Sequence, residues 1–282
     1  MDVAHMAITL SSDELHVFLA LLGATALNGL DSPPFAGLSE QEVAQQLDDG
    51  RKSLVERGLL TLPVEHKKGI LIDDVLVALV GASLVPEATL IVTETCLGGA
   101  PDIHYFSATP ELLVEHRSPS TGKFRFELVP GAGALAARLH SLLAPVAAAA
   151  GSADGAVETP AAAMTAFMAH CARGRAENAR QALVEAGCAA ELAVALSDDV
   201  QAGRSWAAAS AWGLRQRMPE GADAAVAIVG RERCWLIRNS DHGPERVNVR
   251  QASGTECAES LEAMGRRLGQ VRHTGSSKPA AP

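Results

Sequence analysis

Residues 104–118, HYFSATPELLVEHRS, have a counterpart in residues 226–240, VAIVGRERCWLIRNS. Each stretch contains two short apolar runs around a polar turn, which is the pattern of a β-hairpin. Each is followed by a polar loop, PSTGK or DHGPE, and then by a third strand-like run, FRFELV or RVNVR. The sequence therefore predicts two antiparallel meanders, aligned without a gap from His104 with Val226.

The helical segments around the meanders repeat in the same order. SLVERGLL (53–60) matches ALVEAGCA (182–189), and IDDVLVALV (72–80) matches AAELAVALS (189–197), with apolar residues at helical spacing. Between these helices the first half has an additional segment, LTLPVEHKKGIL, which predicts a small hairpin around Lys68-Gly69. The expected fold class is α+β, with two quasi-symmetric halves that each contain helices and an antiparallel β-meander closed by a C-terminal helix.

Composition divides the chain into four segments. The stretch 144–163, APVAAAAGSADGAVETPAAA, contains mostly small residues without apolar periodicity, which is typical of a linker. The end of the chain, TGSSKPAAP, lacks residues that form a core. We expect an N-terminal half over 1–145, a linker over 146–163, a C-terminal half over 164–273 and a disordered tail over 274–282.

The charge distribution argues against a nucleic-acid partner. The net charge is −9, and residues 1–145 contain 9 Lys and Arg against 18 Asp and Glu, whereas the remainder is balanced. Because affinity for nucleic acid depends on neutralising phosphates, a binder needs a dense cationic face. Neither half offers one.

The apolar residues predict a globular protein that has no membrane segment. They make up 48% of the chain, but no apolar run approaches the roughly 18 residues that a membrane span needs. The five cysteines are an odd number without close pairing, which favours reduced, buried thiols. We therefore expect a cytoplasmic protein.

Signatures of catalysis are missing from the sequence. It contains no G-x-S-x-G, H-E-x-x-H or C-x-x-C motif. GAGALA (131–136) resembles a dinucleotide-binding turn but follows a meander strand rather than opening a parallel βαβ unit. Three acidic pairs have the positions of helix caps or solvated faces: Asp48-Asp49, Asp73-Asp74 and Asp198-Asp199. We expect no enzyme activity, no catalytic residues, no cofactor and no metal site.

A winged helix-turn-helix is the alternative that the sequence leaves open. The segment SEQEVAQQLDDGRKSLVERGLL precedes a basic turn, His66-Lys67-Lys68, as a recognition helix precedes a wing. This arrangement would make the protein a DNA-binding transcription regulator. Acidic residues interleave with the basic ones throughout the segment, so the expected recognition surface has no positive excess.

Several stretches resemble the EspG family of type VII (ESX) secretion-associated chaperones. They are ITLSSDELHVFLALLGATALNGLDSPP, EVAQQLDDGRKSLVERGLL, FRFELVPGAGALAARLHSLL and RVNVRQASGTECAESLEAMGRRL. The resemblance extends over most of the chain. It implies an α+β fold of two quasi-symmetric halves and the cytosolic binding of secreted PE–PPE proteins. The implied partner is thus a helical protein client, and the function is that of a chaperone or adaptor.

The second half is the expected location of the partner-binding residues. It contains all three tryptophans, and tryptophan is enriched at binding hot spots. Trp212 and Leu214 would share one face of a strand, with Trp235 on the neighbouring hairpin. We predict that these three residues contact the client, with packing in the core as the alternative.

Overall fold

The computed structural model describes residues 6–24, 26–30, 35, 37–63, 69–96, 99–117, 122–151, 154–213 and 221–274. The described helices are α1 (Ser12–Leu21), α2 (Glu40–Glu56), α3 (Asp74–Leu84), α4 (Ala132–Ala147), α5 (Ala161–Ala172), α6 (Ala176–Glu185), α7 (Ala190–Ala202) and α8 (Gly254–Thr274). The described strands are β1 (Ala7–Ser11), β2 (Leu60–Thr61), β3 (Leu71–Ile72), β4 (Ala88–Cys96), β5 (Asp102–Ala108), β6 (Leu113–Arg117), β7 (Lys123–Leu128), β8 (Asp154–Pro160), β9 (Arg204–Trp212), β10 (Gly221–Val229), β11 (Cys234–Ser240) and β12 (Gly243–Ala252).

Ten strands form one antiparallel sheet in the order β1-β7-β6-β5-β4-β9-β10-β11-β12-β8. The order is symmetric about the β4–β9 pair, since each half begins with its outermost strand and ends with a four-stranded meander and a helix. The α+β class and the two quasi-symmetric halves are therefore as predicted. β2 and β3 pair as the stem of the predicted additional hairpin, whose turn at 64–68 lies outside the described residues.

Helices cover the two faces of the sheet differently. On one face, α4 and α8 pack against each other over the centre, and their leucines join apolar side chains of β4, β5 and β6 in one core. On the opposite face, α1–α3 cover the outer strands of the first half and α5–α7 cover those of the second half. These two helical groups enclose separate cores, so the second face is covered near its ends.

Local sequence explains why the first helices begin where they do. Ser11 caps α1, because its hydroxyl accepts a hydrogen bond from the Glu14 amide while the Glu14 carboxylate accepts one from the Ser11 amide. Ser39 and Glu42 form the same reciprocal arrangement at the start of α2. Glu14 also binds Arg57 at 2.6 Å and Ser53 at 2.7 Å, which fixes the crossing of α1 and α2.

The segment expected to be a linker, 146–163, contains regular structure. It holds the end of α4, all of β8 and the start of α5. β8 pairs with β12 over Arg246↔Pro160 to Gln251↔Asp154 and forms one edge of the sheet. The small residues of β8 have weak strand preference, so its conformation depends on this long-range pairing. Of the expected tail 274–282, only Thr274 is described, as the last residue of α8.

The alignment of the two meanders is shifted by one residue from the predicted one. The first hairpin closes with Thr109 N–H donating to Leu112, and the second with Gly230 N–H donating to Arg233. Thr109 thus corresponds to Gly230, and His104 to Ala225 rather than to Val226. Because successive residues of a strand face opposite sides, this correction changes which side chains correspond on each face.

Candidate protein-binding surface

The centre of the sheet has one face that the described helices leave partly open. We call this surface the central floor and define it by eight of the side chains of β4, β9 and β10 that face away from α4 and α8. These residues are Thr89, Ile91, Thr93, Ala207, Ala209, Ala211, Ala222 and Ala224. Ala209, Ala222 and Ala224 are exposed, and the other five are half-buried.

Strand pairing arranges the central floor in rows. Thr89 lies opposite Ala211, which lies opposite Ala222 on its other side. The next row runs from Ile91 through Ala209 to Ala224. The floor is therefore uncharged and formed mainly by methyl groups. It lies between α3, which packs on β5–β7, and α7, which packs on β10. Such a surface is suited to burying apolar side chains of a partner.

The predicted tryptophan cluster does not form on one surface. Trp212 is half-buried against the core beneath α4 and α8, on the side opposite the central floor. Its indole lies over Gly221, where a Cβ would come within 2.2 Å of the ring. Trp235 is 1% exposed in the core beneath α5–α7, and its Nε1 donates to Asp199 Oδ2 at 2.9 Å. Leu214 lies outside the described residues.

Asp199 was assigned from sequence to a cap or a solvated face, and its burial corrects that assignment. It is 4% exposed and accepts hydrogen bonds from Arg233 Nε at 2.8 Å and from the Trp235 indole. Gly230 packs directly on its carboxylate, since a Cβ there would lie 2.2 Å from Oδ1. The Asp199–Arg233 ion pair therefore attaches the end of α7 to the β10–β11 turn. The sequence showed only that an Asp lies near the end of a helix, not which side chains contact it.

A second buried carboxylate, Glu115, organises an ion-pair network on the α4 side of the first half. It contacts His104 Nδ1 at 2.7 Å, Arg117 Nε at 3.0 Å and the Arg138 guanidinium, which also contacts Glu127. Burial acts to raise the pKa of Glu115, but the hydrogen bond from His104 and the charges of Arg138 and Arg117 outweigh it and hold the pKa below its ordinary value. An ionised, fully paired carboxylate of this kind supports structure rather than proton transfer.

One surface cluster contains the residue types of a catalytic triad without its geometry. Ser240 Oγ donates to Glu158, and His242 Nδ1 lies 2.7 Å from the same Glu158 oxygen. In a triad the serine and the carboxylate contact different ring nitrogens, whereas here Ser240 Oγ lies 3.4 Å from the same Nδ1. The histidine is consequently not positioned to take a proton from Ser240.

The described ranges contain no metal-binding cluster and no membrane-spanning helix. Within the described ranges, no three His, Cys, Asp or Glu side chains are grouped as a metal ion would require. Of the helices in those ranges, none combines the length and apolar content needed to cross a membrane. All five cysteines are free thiols, and all but the half-buried Cys96 are buried, as expected.

The basic residues of the winged-helix alternative are neutralised where the structure describes them. On α2, Arg51 lies 2.9 Å and Lys52 lies 2.6 Å from the Asp48 carboxylate. Lys67 and Lys68 of the expected wing lie outside the described residues. The described part of α2 therefore presents paired charges rather than a cationic surface.

Comparison with known proteins supports the fold. No protein-family model and no curated protein matches the sequence. Among solved structures, the chain is similar to the type VII secretion system chaperone EspG5 of Mycobacterium tuberculosis, described in complex with a PE25-PPE41 dimer. The TM-score is 0.58 and the identity 12%, over 93% of this chain and 96% of that chain. The expected EspG-type fold is thus confirmed, while at this identity the likeness concerns the fold alone.

Proposed function

We propose that this protein is a non-enzymatic chaperone or adaptor that binds a helical protein client, as EspG5 binds its PE–PPE dimer. The similarity in fold over nearly the whole of both chains is the observation that carries the proposal. The chemistry of the described residues supports it, because the central floor is uncharged and partly open, while the buried carboxylates of Asp199 and Glu115 are paired with neighbouring side chains. We further propose that the protein acts in the cytosol within a type VII secretion pathway.

The central floor is the surface that we propose for client docking. Its exposed alanines lie in the middle of a ten-stranded sheet. A partner that covers them would remove apolar surface from water, which is favourable. Small side chains leave room for large apolar residues from a client. Trp212 packs in the core under α4 and α8, on the opposite face of the sheet from this floor. Trp235 packs in the core under α5–α7, beside the floor.

Binding is tested with PE–PPE pairs from the same genome, each co-expressed with this protein and separated by size exclusion. We expect one pair to form a stable complex. Replacing Ala209 with Glu should weaken that complex by at least about tenfold, or about 1.4 kcal/mol, because the client would have to desolvate a carboxylate. Ala136→Glu, on the exposed side of α4, is the matched control and should bind normally.

Two results would overturn the proposal. If no PE–PPE pair binds, the function is wrong. If a pair binds but Ala209→Glu and Ala136→Glu behave alike, the client docks elsewhere than on the central floor. Thermal unfolding of both variants checks that the introduced carboxylates leave the fold intact.

A further inference from the structure

A row of aromatic side chains continues the central floor into the first half. Ile91 of the floor lies opposite Tyr105 on β5, which lies opposite His116 on β6, which lies opposite Phe126 on β7. The His116 ring stacks on Tyr105 with a centroid distance of 4.7 Å and an angle of 8° between the rings. Phe126 lies on its other side at 5.3 Å. The three rings therefore form one continuous layer.

Residues 26–30, from the connection between α1 and α2, lie on this layer. Leu27 is 5% exposed, so it anchors the segment in the core. Gly29 sits directly over Tyr105, where a Cβ would be 2.6 Å from the ring. The Asn28 carbonyl accepts a hydrogen bond from His116 Nε2 at 2.8 Å. The segment thus covers Tyr105 at the side of the central floor.

The hydrogen bond to Asn28 fixes the position of one hydrogen on the His116 ring. Since a carbonyl only accepts, Nε2 carries a hydrogen, and in the neutral ring Nδ1 has the lone pair. Among the described residues, Nδ1 is buried and has no hydrogen-bond partner. A proton added to Nδ1 would leave the hydrogen bond to Asn28 in place, but it would create a buried charge without an acceptor at Nδ1, and burial disfavours the charged ring.

We propose that His116 is a proton-sensitive latch, whose neutral form holds residues 26–30 over Tyr105 and whose protonation releases them, extending the central floor by an aromatic ring. The consequence for client binding rests on the proposed function, but the latch itself does not. Release would add Tyr105 to the apolar surface next to Ile91.

The direction of the pH effect follows from the environment of His116. Burial lowers its pKa to about 4, against the smaller opposing effects of the Asn28 carbonyl and the Glu115 charge. An exposed histidine has a pKa near 6.5, so the latched state is fully favoured above that value and loses stability as the pH falls towards 4. The ratio of latched to released protein should fall by up to about 300-fold over this range.

The other titratable groups on the packed elements can be distinguished from His116. Asp74 is the titratable residue of α3, and α1 contributes Asp13, Glu14 and His16. The pKa of Glu14 lies below its ordinary value, like that of Glu115, so both stay ionised through most of the range. Burial lowers the pKa of His16, which contacts Phe35 in the same connection at 4.7 Å. A His16→Gln variant therefore serves as the control.

The test uses Tyr105, which is the single tyrosine of the chain. Protein labelled with 3-fluorotyrosine gives one ¹⁹F resonance, followed from pH 7 to pH 4 beside the fluorescence of the buried tryptophans. We expect the resonance to move to an exposed position before the tryptophan signal changes. His116→Gln, which keeps an N–H donor, should remove this early movement, and His16→Gln should retain it.

A variant at neutral pH provides an independent check. Gly29 has a φ of 80°, so Gly29→Ala combines a strained backbone with a clash against Tyr105. It should give the exposed ¹⁹F position already at pH 7. The latch is disproved if the wild-type resonance moves only together with the tryptophan fluorescence, or if His116→Gln titrates as the wild type does. Failure of client binding alone would leave these results unchanged.

Discussion

Replacing Asp199 with Ala should lower the free energy of unfolding by about 3 kcal/mol. The substitution removes the acceptor of a fully buried Trp235 N–H, and an unsatisfied buried donor costs about 1–3 kcal/mol. It also leaves Arg233 without its carboxylate, but this side chain is 40% exposed, so that loss adds at most about 1 kcal/mol. The lost side-chain packing against Gly230 supplies the remainder. Urea denaturation measures the sum.

Two further variants separate these contributions. Asp199→Asn keeps an oxygen acceptor for the indole, so it should cost only about 1 kcal/mol. In a Trp235→Phe background, Asp199→Ala should cost at least about 1 kcal/mol less than in the wild type, because no indole N–H is left unpaired. The reasoning is refuted if Asp199→Asn costs as much as Asp199→Ala, or if the two substitutions are additive.

Three other outcomes follow from the structure. Gly50→Ala should destabilise the protein by about 2 kcal/mol or more in urea denaturation, because the new Cβ would lie 2.6 Å from the Asp13 carbonyl oxygen. Gly81→Ala is the control: its Cβ would meet open space, so it should be neutral or stabilising by up to about 1 kcal/mol. Glu115→Gln should reduce stability at pH 7 and pH 5 alike. Since the pKa of Glu115 is lowered in the folded state, the difference in free energy of unfolding between wild type and variant should shrink only below about pH 4.5. A difference already lost at pH 5 would contradict the assigned ion pairs. Duplex DNA should show no salt-dependent binding in a fluorescence anisotropy titration, and tight binding that weakens with salt would restore the winged-helix alternative.

The elements of the fold were largely predictable because their patterns are local. Hairpin turns and helical spacing are defined within a few residues, and they place the meanders and most helices correctly. β8 was missed because its strand conformation comes from pairing with β12, far along the chain. The one-residue error in aligning the meanders has a related cause. In β10 alanines face both sides, for example Ala224 and Ala225, so hydrophobic alternation gives little information on register.

The candidate surface was less predictable than the fold. Large aromatic residues are common both in cores and at binding sites, and sequence alone does not distinguish these two uses. Trp235 illustrates this, because its burial depends on Asp199, which lies on a different element. The central floor consists mainly of alanines and threonines, which carry no chemical signature. It becomes visible only when the sheet order places β4 beside β9.

The pairing of β4 with β9 has a consequence for how the polypeptide acquires its structure during synthesis. It joins residues far apart in sequence, such as Ala88 with Trp212, so β4 leaves the ribosome well before its neighbour exists. Until then the first half has a long unpaired edge, which is the kind of surface that recruits other chains into aggregates. Slow closure of such non-local pairs is typical of β topologies. The second half thus serves as an intramolecular cap for the nascent first half.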